Sequence, residues 1–137
     1  MAAVEQLICE GEGGTICFGN HLLKEKKKVE DFACLGDLYK VKTFQSMTKL
    51  EKNSMFLYES VPGTSVNAFK ETDQGLSFLV EGEEDAQLTL GLKEDTEYEV
   101  FVAGESIGKM KTNLGGKLSL GVELSEAHAV EIKVVEV

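Results

Sequence analysis

The stretch Gly91-Leu92-Lys93-Glu94-Asp95-Thr96-Glu97-Tyr98-Glu99-Val100-Phe101-Val102 decides the fold. Its opening residues close a run in which Leu88, Leu90 and Leu92 recur at every second position, the period of a strand with one buried face. The polar residues Lys93 to Glu97 then form a corner. Tyr98, Val100 and Val102 restart the same two-residue period. A tyrosine just inside the second strand of such a corner packs its ring beneath it and bonds its hydroxyl to upstream backbone. Leu92 and Tyr98 are therefore the expected structural residues of the corner, with the Tyr98 hydroxyl bonded near Leu92 or Glu94.

The same alternation extends in both directions. Downstream, Ser106–Thr112, Lys117–Leu124 and Ala129–Val135 read as strands; Leu118, Leu120, Val122 and Leu124 are in phase, as are Val130, Ile132 and Val134. Upstream, Leu76, Phe78 and Val80 share one face, and Thr64–Lys70 carries the chain between its two halves. Pro62-Gly63 marks a break. Lys52-Asn53-Ser54 reads as a hairpin turn between Met47–Glu51 and Met55–Val61. Tyr39, Val41 and Thr43 alternate with Lys40 and Lys42 within Leu38–Phe44. Val29–Phe32, Thr15–Gly19 and Val4–Cys9 complete the set, with Glu10-Gly11-Glu12-Gly13-Gly14 as a turn. The expectation is an all-β, antiparallel β-sandwich of roughly ten to twelve strands, immunoglobulin-like in its C-terminal half. Residues 1–137 form one compact unit, with possible sub-units at 1–63 and 64–137.

Composition narrows the function classes. The chain has 137 residues, 42% of them hydrophobic, and a formal net charge of −10. All 14 basic residues are lysine. Nucleic-acid binding leans on basic side chains at phosphates and base edges, and an anionic membrane surface repels an acidic protein. Neither partner is expected. No apolar run approaches the ~20 residues of a membrane-spanning helix, and the first residues do not read as a signal peptide. Cys9, Cys17 and Cys34 share no CxxC spacing, so the expectation is free thiols and a cytoplasmic location.

Two resemblances extend this reading. Leu92, Tyr98, Val100 and Val102 resemble the corner of fibronectin type III and related immunoglobulin-like modules, although the chain lacks their core tryptophan. Over nearly its whole length the chain resembles small bacterial proteins labelled "endosialidase", through Gly36-Asp37-Leu38-Tyr39-Lys40-Val41-Lys42-Thr43-Phe44, Met55–Thr64 and Met110–Ser119. That resemblance implies carbohydrate-directed activity. Sialidases, however, grip the substrate carboxylate with arginines, whose planar guanidinium pairs it in two parallel bonds, and here arginine is absent. The Asp-box motif is absent too.

Remaining candidates are weighed by chemistry. Tyr39 and Tyr58 are the weak ligand-binding candidates, since an aromatic ring can stack on a sugar; ordinary sheet packing competes with that role. Glu81, Glu83, Glu84 and Asp85 form an acidic turn without the spacing of a calcium loop. Cys17, His21 and Cys34 are zinc-ligand types without ligand spacing. Gly11, Gly13 and Gly14 lack the helix and lysine of a phosphate loop. The run Lys24 to Lys28 reads as a solvated edge. No catalytic residue, metal or cofactor is expected. The leading function is a non-catalytic binding or assembly module that self-associates. The alternative is a carbohydrate-directed protein, by glycan binding or two-carboxylate hydrolysis.

Overall fold

The computed structural model describes Val4, residues 6–125 and residues 128–137. Among these residues thirteen strands run in chain order: β1 (Ile8–Glu10), β2 (Ile16–Phe18), β3 (Lys27–Cys34), β4 (Asp37–Phe44), β5 (Met47–Lys52), β6 (Met55–Val61), β7 (Ser65–Thr72), β8 (Gly75–Glu81), β9 (Ala86–Gly91), β10 (Glu97–Val102), β11 (Glu105–Lys111), β12 (Lys117–Val122) and β13 (Val130–Glu136). They form two antiparallel sheets packed as a sandwich. One sheet has the order β1-β2-β7-β8-β13-β10-β11, the other β12-β9-β6-β5-β4-β3. The count of thirteen slightly exceeds the expected ten to twelve.

Alternation places the core where the sequence puts it. Tyr39, Val41 and Thr43 of β4, Leu76, Phe78 and Val80 of β8, Ala86, Leu88 and Leu90 of β9, and Leu118, Leu120 and Val122 of β12 are all buried. Their neighbours in sequence face outward, because successive side chains leave a strand on opposite sides. Aromatic rings lock the two sheets together. Tyr58 of β6 meets Phe18 of β2 edge-on at 5.2 Å and Phe78 of β8 at 5.5 Å between centroids. Phe69 of β7 packs beside both partners, stacked on Phe78 at 5.5 Å. Edge-on and offset stacks are the arrangements that aromatic quadrupoles favour.

The chain changes sheet between β6 and β7, at Pro62-Gly63. A side chain at Gly63 would collide with the carbonyl oxygen of Phe44, so only glycine lets the backbone pass here. The possible division at residues 63 and 64 coincides with this crossing. Both sheets take strands from both sides of it: β1 and β2 lie beside β7, and β6 pairs with β9. Among the described residues no helix is long and apolar enough to cross a membrane.

Two local expectations need correction, and an ambiguous one is resolved. Of the strand expected at Val4–Cys9, Glu5 lies outside the described residues, and β1 begins at Ile8, because Leu7 sits at φ 71°, left-handed and outside strand geometry. The Leu7 carbonyl instead accepts the N–H of Gly19 at 2.9 Å. Two of the three expected free thiols are joined: Cys9 and Cys17 form a disulfide. They are direct cross-strand partners of β1 and β2, and their Cα atoms lie 5.3 Å apart, inside the range a disulfide spans. The free-thiol argument for a cytoplasmic location therefore keeps only Cys34, which is buried. Burial, with Glu10 beside it, pushes the Cys34 thiol above its ordinary pKa. Finally, the ambiguous lysine run resolves in part: Lys27 and Lys28 open β3, which pairs with β4 as an edge strand.

Candidate functional site

All strands alternate in direction, so the chain reversals gather at two ends of the sandwich. At one end lie the β5–β6 and β7–β8 turns, the corner after β9, the loop between β11 and β12, and the end of β13. Between them the sheets part around a cleft of about 840 Å³. Leu57, Leu76 and Tyr98 line it, with Phe56, Lys52, Lys93 and Lys117. That volume falls in the range of small-molecule pockets.

The corner shapes one wall of the cleft. The Tyr98 ring is buried, 2% exposed. Its hydroxyl accepts the backbone N–H of Lys93 at 3.1 Å, between the two positions expected from sequence. Leu92 is half-buried against the core, and its N–H reaches the carbonyl of Gly116 at 2.7 Å. Gly116 takes φ 78°, and a side chain there would strike the Leu92 carbonyl. A further residue holds the corner from the opposite side. Thr112 donates its hydroxyl to the Lys93 carbonyl at 2.6 Å and receives the Thr96 N–H at 2.9 Å. Tyr98→Phe removes one acceptor from a part-buried amide, and is expected to lower stability by about 1 kcal/mol. Urea unfolding checks this; an unchanged midpoint would mean that Thr112 and Gly116 alone hold the corner.

The lysines of the cleft are largely committed. Lys52 pairs with Glu71 across the two sheets, and that bond raises the Lys52 pKa. Lys93 meets Glu136 at 2.6 Å. Lys117 lies over the Phe56 ring, 4.6 Å from its centroid, a cation–π contact. Exposed ion pairs contribute little to stability, so these contacts chiefly shape the rim.

The two tyrosines considered for ligand stacking lie elsewhere. Tyr58 is fully buried at the centre of the aromatic cluster. Burial holds its phenol protonated far above the ordinary range. Its ring is closed to a sugar. Tyr39 is 9% exposed and reaches only a small cavity of about 210 Å³ beside Glu30, Asp31 and Glu51. Burial, the largest effect, raises its pKa, against the opposing influence of Lys52.

The polar heart of the sandwich is a hydroxyl network that the sequence does not announce. Thr64 is its hub: its hydroxyl meets Tyr58 Oη and Ser60 Oγ, both at 2.7 Å. The Thr48 hydroxyl donates to the Thr64 carbonyl at 2.7 Å and accepts the Thr64 N–H at 3.1 Å. Thr48 has one proton, already given to that carbonyl, so Thr43 is the donor in their 2.8 Å contact. Thr43 in turn accepts the N–H of Asn20 at 2.9 Å. His21 belongs to the same region. Its Nδ1 lies 2.7 Å from Ser65 Oγ, which also accepts its N–H. Ser65 is fully buried, so this pair ties the β2–β3 loop to β7.

The metal-ligand types do not assemble. Cys17 is consumed by Cys9, and among the described residues no three His, Cys, Asp or Glu side chains are grouped to hold a metal ion. Within the acidic turn, Asp85 accepts the Leu124 N–H at 3.2 Å.

The most accessible strand is β11. It closes one sheet and, among the described residues, pairs only with β10. Six of its seven residues are exposed, and Met110 is half-buried. Other edges are less exposed: β1 has three residues, β12 buries alternate side chains, and β3 buries Cys34 and half-buries Val29 and Phe32. No family model matches the chain, and no curated protein or solved structure matches it either.

Proposed function

We propose that the chain is a non-catalytic β-sandwich module that works by binding and assembly, and that it self-associates. The observation that carries this reading is β11, a seven-residue edge strand exposed on both faces. An unpaired edge presents a row of backbone donors and acceptors, which is a template for pairing with another chain. Around it the sandwich is closely tied: among the described residues every buried side-chain nitrogen and oxygen has a hydrogen-bond partner. Light scattering across a concentration series is expected to show a concentration-dependent rise in mass. A constant monomer mass at every concentration would overturn the reading.

The loop-end cleft supports a second reading, a small ligand held between the sheet ends. For the carbohydrate-directed alternative it is the roomier site, with Phe56 in its wall, since Tyr58 is enclosed and Tyr39 nearly so. Titration with a glycan panel, followed by amide shifts of Lys93 and Gly116, tests it. Shifts confined to other regions would exclude the cleft.

A further inference from the structure

We infer that the loop-end cleft takes a small amphipathic anion, a carboxylate carried on an apolar chain, with Lys117 as its counter-ion. The inference rests on the ligand reading of that cleft and gives it a chemical class.

Apolar surface is the first support. The two most exposed large hydrophobic side chains of the described residues stand at this end of the sandwich: Leu114, 79% exposed, and Met55, 71% exposed. Met55 lines the cleft, and Leu114 lies in the loop between β11 and β12 beside Gly115, which also lines it. Phe56 and Leu92 are half-buried in the same lining. A single exposed apolar side chain is ordinary, whereas several around one concavity mark a binding surface. The flexible thioether of Met55 adapts to the shape of what it meets. An apolar chain laid against these groups removes surface from water, the main favourable term in such binding.

Charge selects the head group. The lysines of the lining are Lys52, Lys93 and Lys117, and its carboxylates are Glu71 and Asp73. Glu71 is bonded to Lys52. Lys93 is bonded to Glu136 and feels the charge of Asp73 as well. Lys117 is left: among the described residues it has no carboxylate partner. Its ammonium rests over the Phe56 ring, directly beside Met55 in sequence. A ligand carboxylate can meet Lys117 there without breaking any ion pair of the protein, while its chain runs over the apolar lip. The net charge of −10 opposes an anion at long range. Salt screens that field beyond about 8 Å at physiological ionic strength, so the local pair decides the head group.

Titration of the folded chain with octanoate, followed by amide shifts, tests this. The controls are 1-octanol, which lacks the charge, and acetate, which lacks the chain. Octanoate is expected to shift Phe56, Leu57, Lys93 and Lys117 and to bind more tightly than either control. Lys117→Gln is expected to weaken octanoate about fivefold, the scale of one exposed ion pair, and to leave octanol unchanged. Met55→Ser is expected to weaken both. Lys117 and Met55 are exposed, so both variants keep the fold. Equal affinity for octanoate and octanol, unmoved by Lys117→Gln, would overturn the anionic class while leaving the cleft a ligand site. Octanoate affinity unmoved by Met55→Ser would overturn the placement of the chain. Octanoate shifts elsewhere, or none, would overturn the inference outright, and the glycan titration then judges the cleft reading on its own.

Discussion

Tyr58→Ala is expected to lower the free energy of unfolding by about 4 kcal/mol, the scale for truncating a large buried aromatic. Tyr58 is fully buried and sits between Phe18, Phe69 and Phe78 of the opposite sheet. Removing the ring empties the volume that joins the sheets, and the three phenylalanines lose their common edge partner. The hydroxyl contributes separately, through its 2.7 Å contact with Thr64. Tyr58→Phe keeps the ring and is expected to cost only about 1 kcal/mol. Denaturant unfolding of both variants separates packing from hydrogen bonding. Equal losses would mean that the hydroxyl, and not the ring, carries the effect.

Thr64→Val is expected to cost about 2–4 kcal/mol despite its near-identical shape. Tyr58 Oη and Ser60 Oγ both meet the Thr64 hydroxyl, and all three residues are fully buried. Thr64 has one hydroxyl proton, so at least one of its two neighbours donates to it. Valine leaves that donor facing carbon. The backbone bonds between Thr64 and Thr48 survive the change, which keeps the loss local. Tyr58→Phe combined with Thr64→Val removes both ends of one contact. The double variant is expected to be more stable than the sum of the single losses predicts, by the logic of a double-mutant cycle. Strict additivity in the unfolding data would disprove a coupled network.

The strands and the corner were legible because one simple period governs them. Tyr98 was identifiable for the same reason: it starts a phase that Val100 and Val102 continue, directly after a polar turn. Tyr58 was harder to place. The register shifts between Leu50 and Glu51, and Leu57 and Tyr58 are buried in succession. An alternating pattern cannot show a bulge that depends on the neighbouring strand. The disulfide did leave a trace. Cys9 and Cys17 lie four residues either side of Gly13, at the centre of a glycine-rich turn, so hairpin symmetry sets them opposite each other. The hydroxyl network left none: Thr43 and Thr48 meet as cross-strand partners of β4 and β5, but Thr64 reaches them from the crossing between the sheets, a contact no strand period shows. The loop-end cleft is likewise a product of topology, built from turns far apart in sequence.

The place of β13 has a consequence for how the sandwich is made. It lies between β8 and β10 and pairs with both, yet of the thirteen strands it is the last to leave the ribosome. Until residues 130–136 emerge, the β7–β8 and β10–β11 hairpins are separate ribbons with bare inner edges, and Phe78 and Val100 have no strand between them. The nascent chain therefore passes through a stage with more open edges than the finished protein, the stage at which a chaperone or a misplaced strand would compete for those edges. Insertion of β13 closes two of them at once and leaves β11 as the accessible margin of its sheet.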